Sequence, residues 1–230
     1  MTITSHPRVL VAGGTGDVGE GIVRALLDRD FAVVVPVRAK VKADRLLAAI
    51  GDAERLTLVD GDVGRFEGAE AVAAAVAASA PLKAVVASLG GWWQGGPLVG
   101  ASVEDWHQII ADNLTSHYAA ARAFVPLLQQ SGGTYVQILG AAAEFPVPNS
   151  SLVSITAAAV AMLGRSLDAE SEGTGVRVRQ IMIATLVATR SRPASQATAV
   201  SAEEVGALAA ELIRDERSGA PLLSRLPRSR

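Results

Sequence analysis

Three glycines near the start of the chain have the spacing of a phosphate-binding turn. Gly13, Gly16 and Gly19 follow the apolar run 9–12 (VLVA) and precede residues 22–27, whose apolar side chains fall on one helical face. Such glycines allow a tight turn, and they let the backbone approach a pyrophosphate whose charge rests on free N–H groups at a helix N-terminus. Strand, glycine turn and helix in this order predict a dinucleotide site, with a plain structural turn as the alternative.

A basic residue stands where the second predicted strand ends. Residues 31–37 (FAVVVPV) are typical of a buried strand, Arg38 follows directly, and no Asp or Glu occurs between residues 31 and 42. At this position an acidic side chain would bind the ribose 2′-hydroxyl, whereas an arginine accommodates a 2′-phosphate. Arg38 therefore favours NADP(H) over NAD(H). The alternative is that Arg38, Lys40 and Lys42 form a solvated start of the next helix.

Two further strand ends carry candidate ligand contacts. Asp62 closes the third predicted strand, 55–63, where a carboxylate can meet an adenine edge, although Asp-Gly is also a common turn dipeptide. Trp92 and Trp93 occupy the glycine-rich loop after the fourth predicted strand, 82–89. Because ligands bind at the carboxyl ends of such strands, we expect one tryptophan to line a small-molecule pocket and the other to pack.

Two residues are candidates for catalysis. Asn113 lies in the middle of a predicted long helix, 102–130, where it could hold a water or only stabilise a kink; His117 lies one turn later on the same face. Glu144 lies in the loop after the fifth predicted strand. Buried beside Trp and Ala surface, its carboxyl would have a raised pKa and could act as a general acid. The alternative for Glu144 is an exposed loop residue.

Strands and helices alternate along the whole chain. This order predicts one α/β domain over 1–230: a Rossmann-type, doubly wound, parallel sheet of about seven strands with helices on both faces. The remaining predicted elements are strands 134–139 and 176–183, helices 67–80, 152–169 and 202–215, and a short last strand at 222–223.

The bulk composition excludes several classes of function. The 230 residues carry a net charge of −2, and positive and negative side chains are spread along the sequence, so there is no basic patch that would indicate nucleic-acid binding. The absence of cysteine excludes disulfides and thiolate catalysis, and no metal-ligand cluster is evident. We find no hydrophobic signal segment and no run of membrane-spanning length, so we expect a soluble cytoplasmic protein without membrane association.

Five segments resemble the short-chain dehydrogenase/reductase family along essentially the whole chain: 12–19 (AGGTGDVG), 61–63 (GDV), 104–128, 132–139 and 165–181. The resemblance implies NADP(H) binding and oxidoreductase activity on a small or medium carbonyl or alcohol. It further implies a homodimer or homotetramer formed through the two long helices around Asn113 and Ala157. The implied cofactor contacts are Gly13, Thr15, Gly16, Val18, Gly19, Arg38, Asp62, Val63, Ser88, Gly90 and Thr189.

The catalytic positions depart from the family pattern. Where the family has Ser, Tyr and Lys, this chain has Gly140, Val153 and Ala157, so that only the Asn, Asn113, is left. Three functions therefore stay open: an oxidoreductase with a non-standard proton donor, a cofactor-binding sensor or partner subunit without redox activity, and an enzyme of a non-redox step such as a cyclisation, isomerisation or lyase reaction.

Overall fold

The computed structural model describes residues 6–51, 53–193, 199–217 and 219–227. Its main sheet contains β1 Arg8–Ala12, β2 Ala32–Val37, β3 Leu56–Asp60, β4 Ala84–Ala87, β5 Thr134–Gly140, β6 Arg177–Ile183 and β9 Leu223–Leu226. A separate pair is formed by β7 Val187–Ala188 and β8 Val200–Ser201. The helices are α1 Asp17–Leu27, α2 Lys40–Ile50, α3 Phe66–Ala77, α4 Val103–Ile109, α5 Ser116–Ser131, α6 Ser151–Glu170 and α7 Ala202–Arg214.

The main sheet has the strand order β3-β2-β1-β4-β5-β6-β9, and all of its neighbouring pairs are parallel. The order reverses direction between β1 and β4, which places a topological switch point at their carboxyl ends. The predicted doubly wound sheet of seven strands is confirmed, and the last strand is longer than residues 222–223.

Helices cover both faces of the sheet, which is why the central strands are apolar on both sides. Residues of β1 alternate between the two cores: Val9 and Val11 pack with α1 and α7, whereas Leu10 and Ala12 pack with α3 and α5. Small residues let α1 and α7 approach closely, since a Cβ on Gly206 would lie 2.6 Å from the Cβ of Ala25. The sheet is therefore held rigidly beneath the loops at its carboxyl edge.

The predicted single helix 102–130 is interrupted. Between α4 and α5 the segment Ile110–Thr115 forms a π-helical turn that contains Asn113. The hydroxyl of Ser116 donates to the carbonyl oxygen of Asp112 at 2.6 Å, a local bond that competes with the regular helix ladder. The expectation of one continuous helix is wrong here, and the widened turn carries Asn113 to the edge of the cleft described below.

Helix α6 is the one helix among the described ranges that is long and apolar enough to cross a membrane by length and composition. About a third of that span is buried within the fold, where Leu152, Val160 and Ala161 are covered. Its opposite side leaves Ile155 and Met162 exposed.

Candidate cofactor and substrate site

Two adjoining cavities form a cleft along the carboxyl edge of the sheet. The smaller, of about 320 Å³, lies by the ends of β2 and β3 and is called the outer cavity. The larger, of about 800 Å³, lies by the ends of β5 and β6 and is called the inner cavity. The two share Gly16 and residues 88–91 of the loop after β4. The cleft thus crosses the switch point, where open α/β sheets bind their ligands.

The glycine turn between β1 and α1 forms the floor where the cavities meet. Gly13 has φ +82°, and a side chain there would overlap the carbonyl oxygen of Ser88, while one on Gly19 would overlap the carbonyl oxygen of Gly13. Gly16 is the N-cap of α1, and within the described ranges no side-chain hydrogen bond caps this helix N-terminus. Residues 16–19 instead line the inner cavity, so the first N–H groups of α1 lie beside a space that can receive an anion.

The outer cavity contains a cluster of positive charge. Arg38, Lys42 and Arg65 line it together with the carboxylates of Asp62 and Asp112. Nη1 of Arg38 lies 3.4 Å from Oδ2 of Asp62, whose Oδ1 accepts a hydrogen bond from the N–H of residue 64 at 3.0 Å. With three cations against two carboxylates, the cavity retains a positive charge that suits a phosphate monoester.

The predicted contacts Gly13, Thr15 and Val63 line the same outer cavity. Lys40 does not, because its ammonium is bound to the carboxylate of Asp44 at 2.9 Å on the surface of α2. Sequence reasoning missed Arg65, although its position three residues after Asp62 was the available signal.

Asp17, at the first position of α1, lines the inner cavity, and its negative charge is balanced by neighbouring groups. Its carboxylate accepts a hydrogen bond from Ser191 Oγ at 2.7 Å and binds the guanidinium of Arg45. These two hydrogen bonds, that of Ser191 foremost, lower the pKa of Asp17, and the charge of Arg192 lowers it further. Because Arg192 also lines the inner cavity, an anion at the α1 N-terminus would meet a cation as well as a carboxylate that is already paired.

Segment 189–192, after β7, is fastened to α1. Arg190 donates two hydrogen bonds to the buried carboxylate of Glu20, at 2.7 and 2.9 Å. Thr189 is buried, and its hydroxyl accepts from the N–H of Arg192 at 3.1 Å and lies 3.2 Å from the Ser191 hydroxyl. The predicted contacts Val18, Ser88 and Gly90 line the inner cavity, whereas Thr189 is absent from the lining of both cavities.

The inner cavity brings together the three positions at which the resemblance implies Ser, Tyr and Lys. Gly140, Val153 and Ala157 all line it, beside Asn113 and Thr156. The wall that these residues form is apolar apart from the amide and the threonine hydroxyl. The two tyrosines of the chain lie elsewhere: Tyr135 lies on β5 and is fully buried in the core beside α3 and α5, and Tyr118 is half exposed with its ring edge against Phe66.

Lysines are likewise distant from this wall. Lys83 binds the carboxylate of Glu216 at the start of β4, and Lys42 lines the outer cavity. No tyrosine or lysine of the described residues therefore lines the inner cavity.

Asn113 acts through hydrogen bonds to its surroundings. Its Oδ1 accepts from the N–H of Gly91 at 2.8 Å, and its Nδ2 donates to the Gly91 carbonyl at 3.1 Å and lies 3.4 Å from Thr156 Oγ1. The hydroxyl of Thr156 donates in turn to the carbonyl of Leu152 at 2.8 Å. Asn113 thus positions the loop after β4 and joins it to α6.

His117 is a buried histidine in the wall of the inner cavity. Only 3% of the residue is exposed, its Nε2 lies 3.4 Å from the carbonyl oxygen of Leu89, and its Nδ1 has no hydrogen-bond partner among the described residues. Burial lowers the pKa of His117 to about 4, so the imidazole is neutral near pH 7.

The expectation for Glu144 as a buried general acid is wrong. The residue is exposed and is absent from the lining of the inner cavity, and its two carboxylate oxygens accept hydrogen bonds from Arg225 at 2.8 and 2.6 Å. This pairing lowers the pKa of Glu144 instead of raising it. Arg225 lies on β9, 81 residues further along the chain, so the local sequence around Glu144 could not predict this ion pair.

The two adjacent tryptophans have different surroundings. Trp92 is 64% exposed and lines the mouth of the inner cavity. Trp93 packs against Gly95, and its Nε1 donates to the carboxylate of Asp105 at 3.1 Å. Trp92 therefore offers a ring to a ligand, whereas Trp93 anchors the loop to α4.

Residues 7–199 match the short chain dehydrogenase family, and the chain belongs to that family. Among curated relatives, 2,5-dichloro-2,5-cyclohexadiene-1,4-diol dehydrogenase LinX of Sphingobium indicum is 28% identical over 178 residues, which cover 75% of this chain and 70% of LinX. The NADP-dependent 3-hydroxy acid dehydrogenase YdfG of Escherichia coli K12 is 27% identical over 175 residues, with the same coverage of 75% and 70%.

Solved structures share the fold at lower identity. ElxO with NADP bound superimposes with a TM-score of 0.87 at 17% identity, covering 96% of this chain and 97% of ElxO. An ElxO variant with a tyrosine-to-phenylalanine substitution, with NADPH bound, gives 0.84 at 18% identity and covers 96% of both chains. The alcohol dehydrogenase of the archaeon Thermococcus sibiricus, complexed with 5-hydroxy-NADP, gives 0.81 at 21% identity, covering 96% of this chain and 95% of that enzyme.

Proposed function

We propose that the chain binds NADP(H) across the cleft, with the 2′-phosphate in the outer cavity and the nicotinamide in the inner cavity. The observation that carries this proposal is the cationic cluster of Arg38, Lys42 and Arg65 beside the uncapped N-terminus of α1. A phosphate monoester and a pyrophosphate each find cations or free N–H groups there. The NADP named for ElxO and the NADP dependence named for YdfG support the same choice of cofactor.

The activity that the site supports best is that of an NADP(H)-dependent oxidoreductase on a small or medium carbonyl compound, without the Tyr and Lys of the family. NADPH supplies hydride chemistry when it is bound, so the protein has to bind the cofactor, orient the substrate beside it and exclude water. Trp92, Val153 and Leu186 give the inner cavity an apolar surface on which an uncharged substrate can lie beside the cofactor. The name of LinX, which specifies an uncharged cyclohexadiene diol, agrees with such a pocket.

A second candidate is a cofactor-binding protein without redox turnover, either a sensor of the NADP(H) pool or a partner subunit. Val153 and Ala157 favour it, because they stand where the resemblance implies the catalytic Tyr and Lys, while the cationic cluster for the phosphate is kept. The ElxO variant with NADPH bound indicates that a related protein holds its cofactor after losing a tyrosine hydroxyl.

One experiment separates the two candidates. NADPH binding is measured first by the change in cofactor fluorescence, and its oxidation is then followed at 340 nm with a panel of aldehydes, ketones and quinones. Binding with turnover of at least one carbonyl compound supports the oxidoreductase. Binding without any turnover supports the sensor or partner subunit, and absence of binding overturns both.

We further propose that the chain is a cytoplasmic protein that assembles as a homodimer or homotetramer. The exposed side of α6 carries Ile155 and Met162, and α5 exposes Tyr118. A second copy of these helices would remove this apolar surface from water, with a stabilisation of roughly 25 cal/mol per Å² buried.

A further inference from the structure

Among the residues that the structure describes, those that line the inner cavity include no ionisable group that could deliver a proton near neutral pH. Its ionisable lining residues, within the parts of the chain that are described, are Asp17, His117 and Arg192. Asp17 is an ion-paired carboxylate with a lowered pKa, Arg192 is a guanidinium, and the buried His117 is neutral. Residues 194–198, for which no structure is described, have the sequence ASQAT and add no Asp, Glu, His, Lys or Tyr.

The polar groups around Asn113 are already engaged within the protein. Both N–H groups of the Asn113 amide point to acceptors, in Gly91 and Thr156, and the Thr156 hydroxyl donates to the carbonyl of Leu152. Nε2 of His117 is the nitrogen that faces the carbonyl oxygen of Leu89, so in the neutral ring Nδ1 carries no proton. Ser88 and Thr185 contribute only hydroxyls, with no lysine in the lining to lower their pKa.

This lining discriminates between kinds of carbonyl compound. A simple ketone that accepts a hydride becomes an alkoxide, whose conjugate alcohol has a pKa of about 16, close to that of water. A quinone becomes a hydroquinone anion, whose conjugate acid has a pKa of about 10, like the phenol of tyrosine. The difference of about six pKa units between the two conjugate acids corresponds to about a million-fold in the protonation equilibrium. Only the hydroquinone anion is therefore stable enough to form first and to take its proton from solvent afterwards.

The shape of the cavity mouth fits the same class of substrate. Trp92 is 64% exposed and Leu186 is 53% exposed, although both line the inner cavity. An uncharged planar ring that stacks on the indole would cover this surface, and offset or edge-on aromatic pairs stabilise such contacts beyond the area they bury.

We infer that the substrate is a quinone, an inference that rests on the NADP(H) dependence proposed above. The quinone takes up one hydride, that is two electrons and one hydrogen nucleus, from NADPH and one proton from solvent. Its two C=O groups become two C–OH groups, and NADP⁺ is the other product. The protein's own contribution is to hold the ring between Trp92 and the Val153 wall, without donating a proton.

The test compares two ligands of one bicyclic skeleton, 1,4-naphthoquinone and 1-tetralone, which differ in whether the reduced product is a phenol or an ordinary alcohol. We expect NADPH oxidation, corrected for the protein-free rate, to be at least about 100-fold faster with the quinone, the lower end of what a general acid would supply to the ketone. Equal rates, or faster reduction of tetralone, overturn the inference. NADPH fluorescence on the same preparation tells this failure apart from a loss of cofactor binding.

A binding measurement gives a readout that does not depend on turnover. Titration of the protein with 1,4-naphthoquinone in the presence of NADP⁺, followed by calorimetry, should show affinity that Trp92→Leu weakens about 5- to 10-fold. Trp106→Leu is the matched control, because Trp106 is 43% exposed on α4 and does not line the inner cavity. Equal loss in both variants, or no loss in either, contradicts the assigned position of the ring.

Discussion

Nδ2 of Asn113 lies 3.4 Å from Oγ1 of Thr156, and this contact joins the π-helical turn before α5 to helix α6 beside the inner cavity. The same amide holds Gly91 through two hydrogen bonds, so one side chain connects the loop after β4 with both long helices. Asn113 is thus a positioning residue whose effect on chemistry passes through the loop it fixes.

Substitution Asn113→Ala should lower the free energy of unfolding by about 1–3 kcal/mol, because it leaves the N–H and the carbonyl of Gly91 without their side-chain partner and removes the contact to Thr156. Urea unfolding measures the loss. The control Thr156→Val removes the long contact to Asn113 and the hydroxyl's local hydrogen bonding to the carbonyls of Leu152 and Val153, but it keeps both bonds to Gly91, so we expect a smaller loss. A larger loss in the control would show that the connection depends on the threonine instead.

Arg38 should determine the preference for the cofactor. Arg38→Gln is expected to weaken NADPH binding at least about 10-fold and to change NADH binding little, since a charge-assisted hydrogen bond to the 2′-phosphate is lost. Lys40→Gln serves as the control, because Lys40 is bound to Asp44 outside the cavity. If both variants weakened NADPH binding to the same extent, general charge and not a defined phosphate site would explain the preference.

Glu144→Gln should leave the rate of NADPH oxidation within about twofold of the wild type, since no general acid is removed. Because the pKa of Glu144 is lowered, its ion pair with Arg225 is lost at a lower pH than that at which an unpaired glutamate would lose its charge. If this substitution slowed NADPH oxidation by about two orders of magnitude, Glu144 would be restored as the proton donor.

His117 should make the fold sensitive to mild acid. Its folded-state pKa of about 4 lies below the ordinary 6.5, so the unfolded chain binds more protons between these values and stability falls as the pH is lowered through them. The full effect is about 3 kcal/mol, most of it between pH 6.5 and 4. Urea unfolding at pH 7 and pH 5 should show a smaller difference for His117→Leu than for the wild type, whereas the exposed-residue control His107→Gln should retain it.

Assembly should depend on the outer side of α6. The double substitution Ile155→Glu with Met162→Glu should yield a species of 23.6 kDa by light scattering, while the wild type gives at least twice that mass. Val41→Glu, on the exposed side of α2, is the control and should not change the mass. A monomeric wild type at micromolar concentration would contradict the proposed assembly.

The local sequence was sufficient to predict the glycine turn and the cationic residue after β2. The spacing of Gly13, Gly16 and Gly19 and the position of Arg38 after β2 are local, and the structure places all four in the lining of the cleft. The partner of Glu144 comes from β9, and the partners of Asp17 come from α2 and the segment after β7. Such long-range pairs determine the pKa of Glu144 and Asp17 and the charge of the site, and residue spacing in the sequence does not predict them.

The π-helical turn and the burial of His117 could not be predicted from the local sequence for a related reason. A helical period places Asn113 and His117 on one face, but only the packing of α5 against the loop after β4 decides that this face is buried. That burial turned a residue that is often solvated into a neutral imidazole with a pKa of about 4.

The most direct test of the central claim is a calorimetric titration of the wild-type protein with NADPH and, separately, with NADH. We predict one site for each protein chain with micromolar affinity for NADPH and at least about 10-fold weaker affinity for NADH, because only NADPH presents a phosphate to the outer cavity. No heat of binding with either cofactor, or equal affinity for both, would contradict the assignment of the cleft to NADP(H).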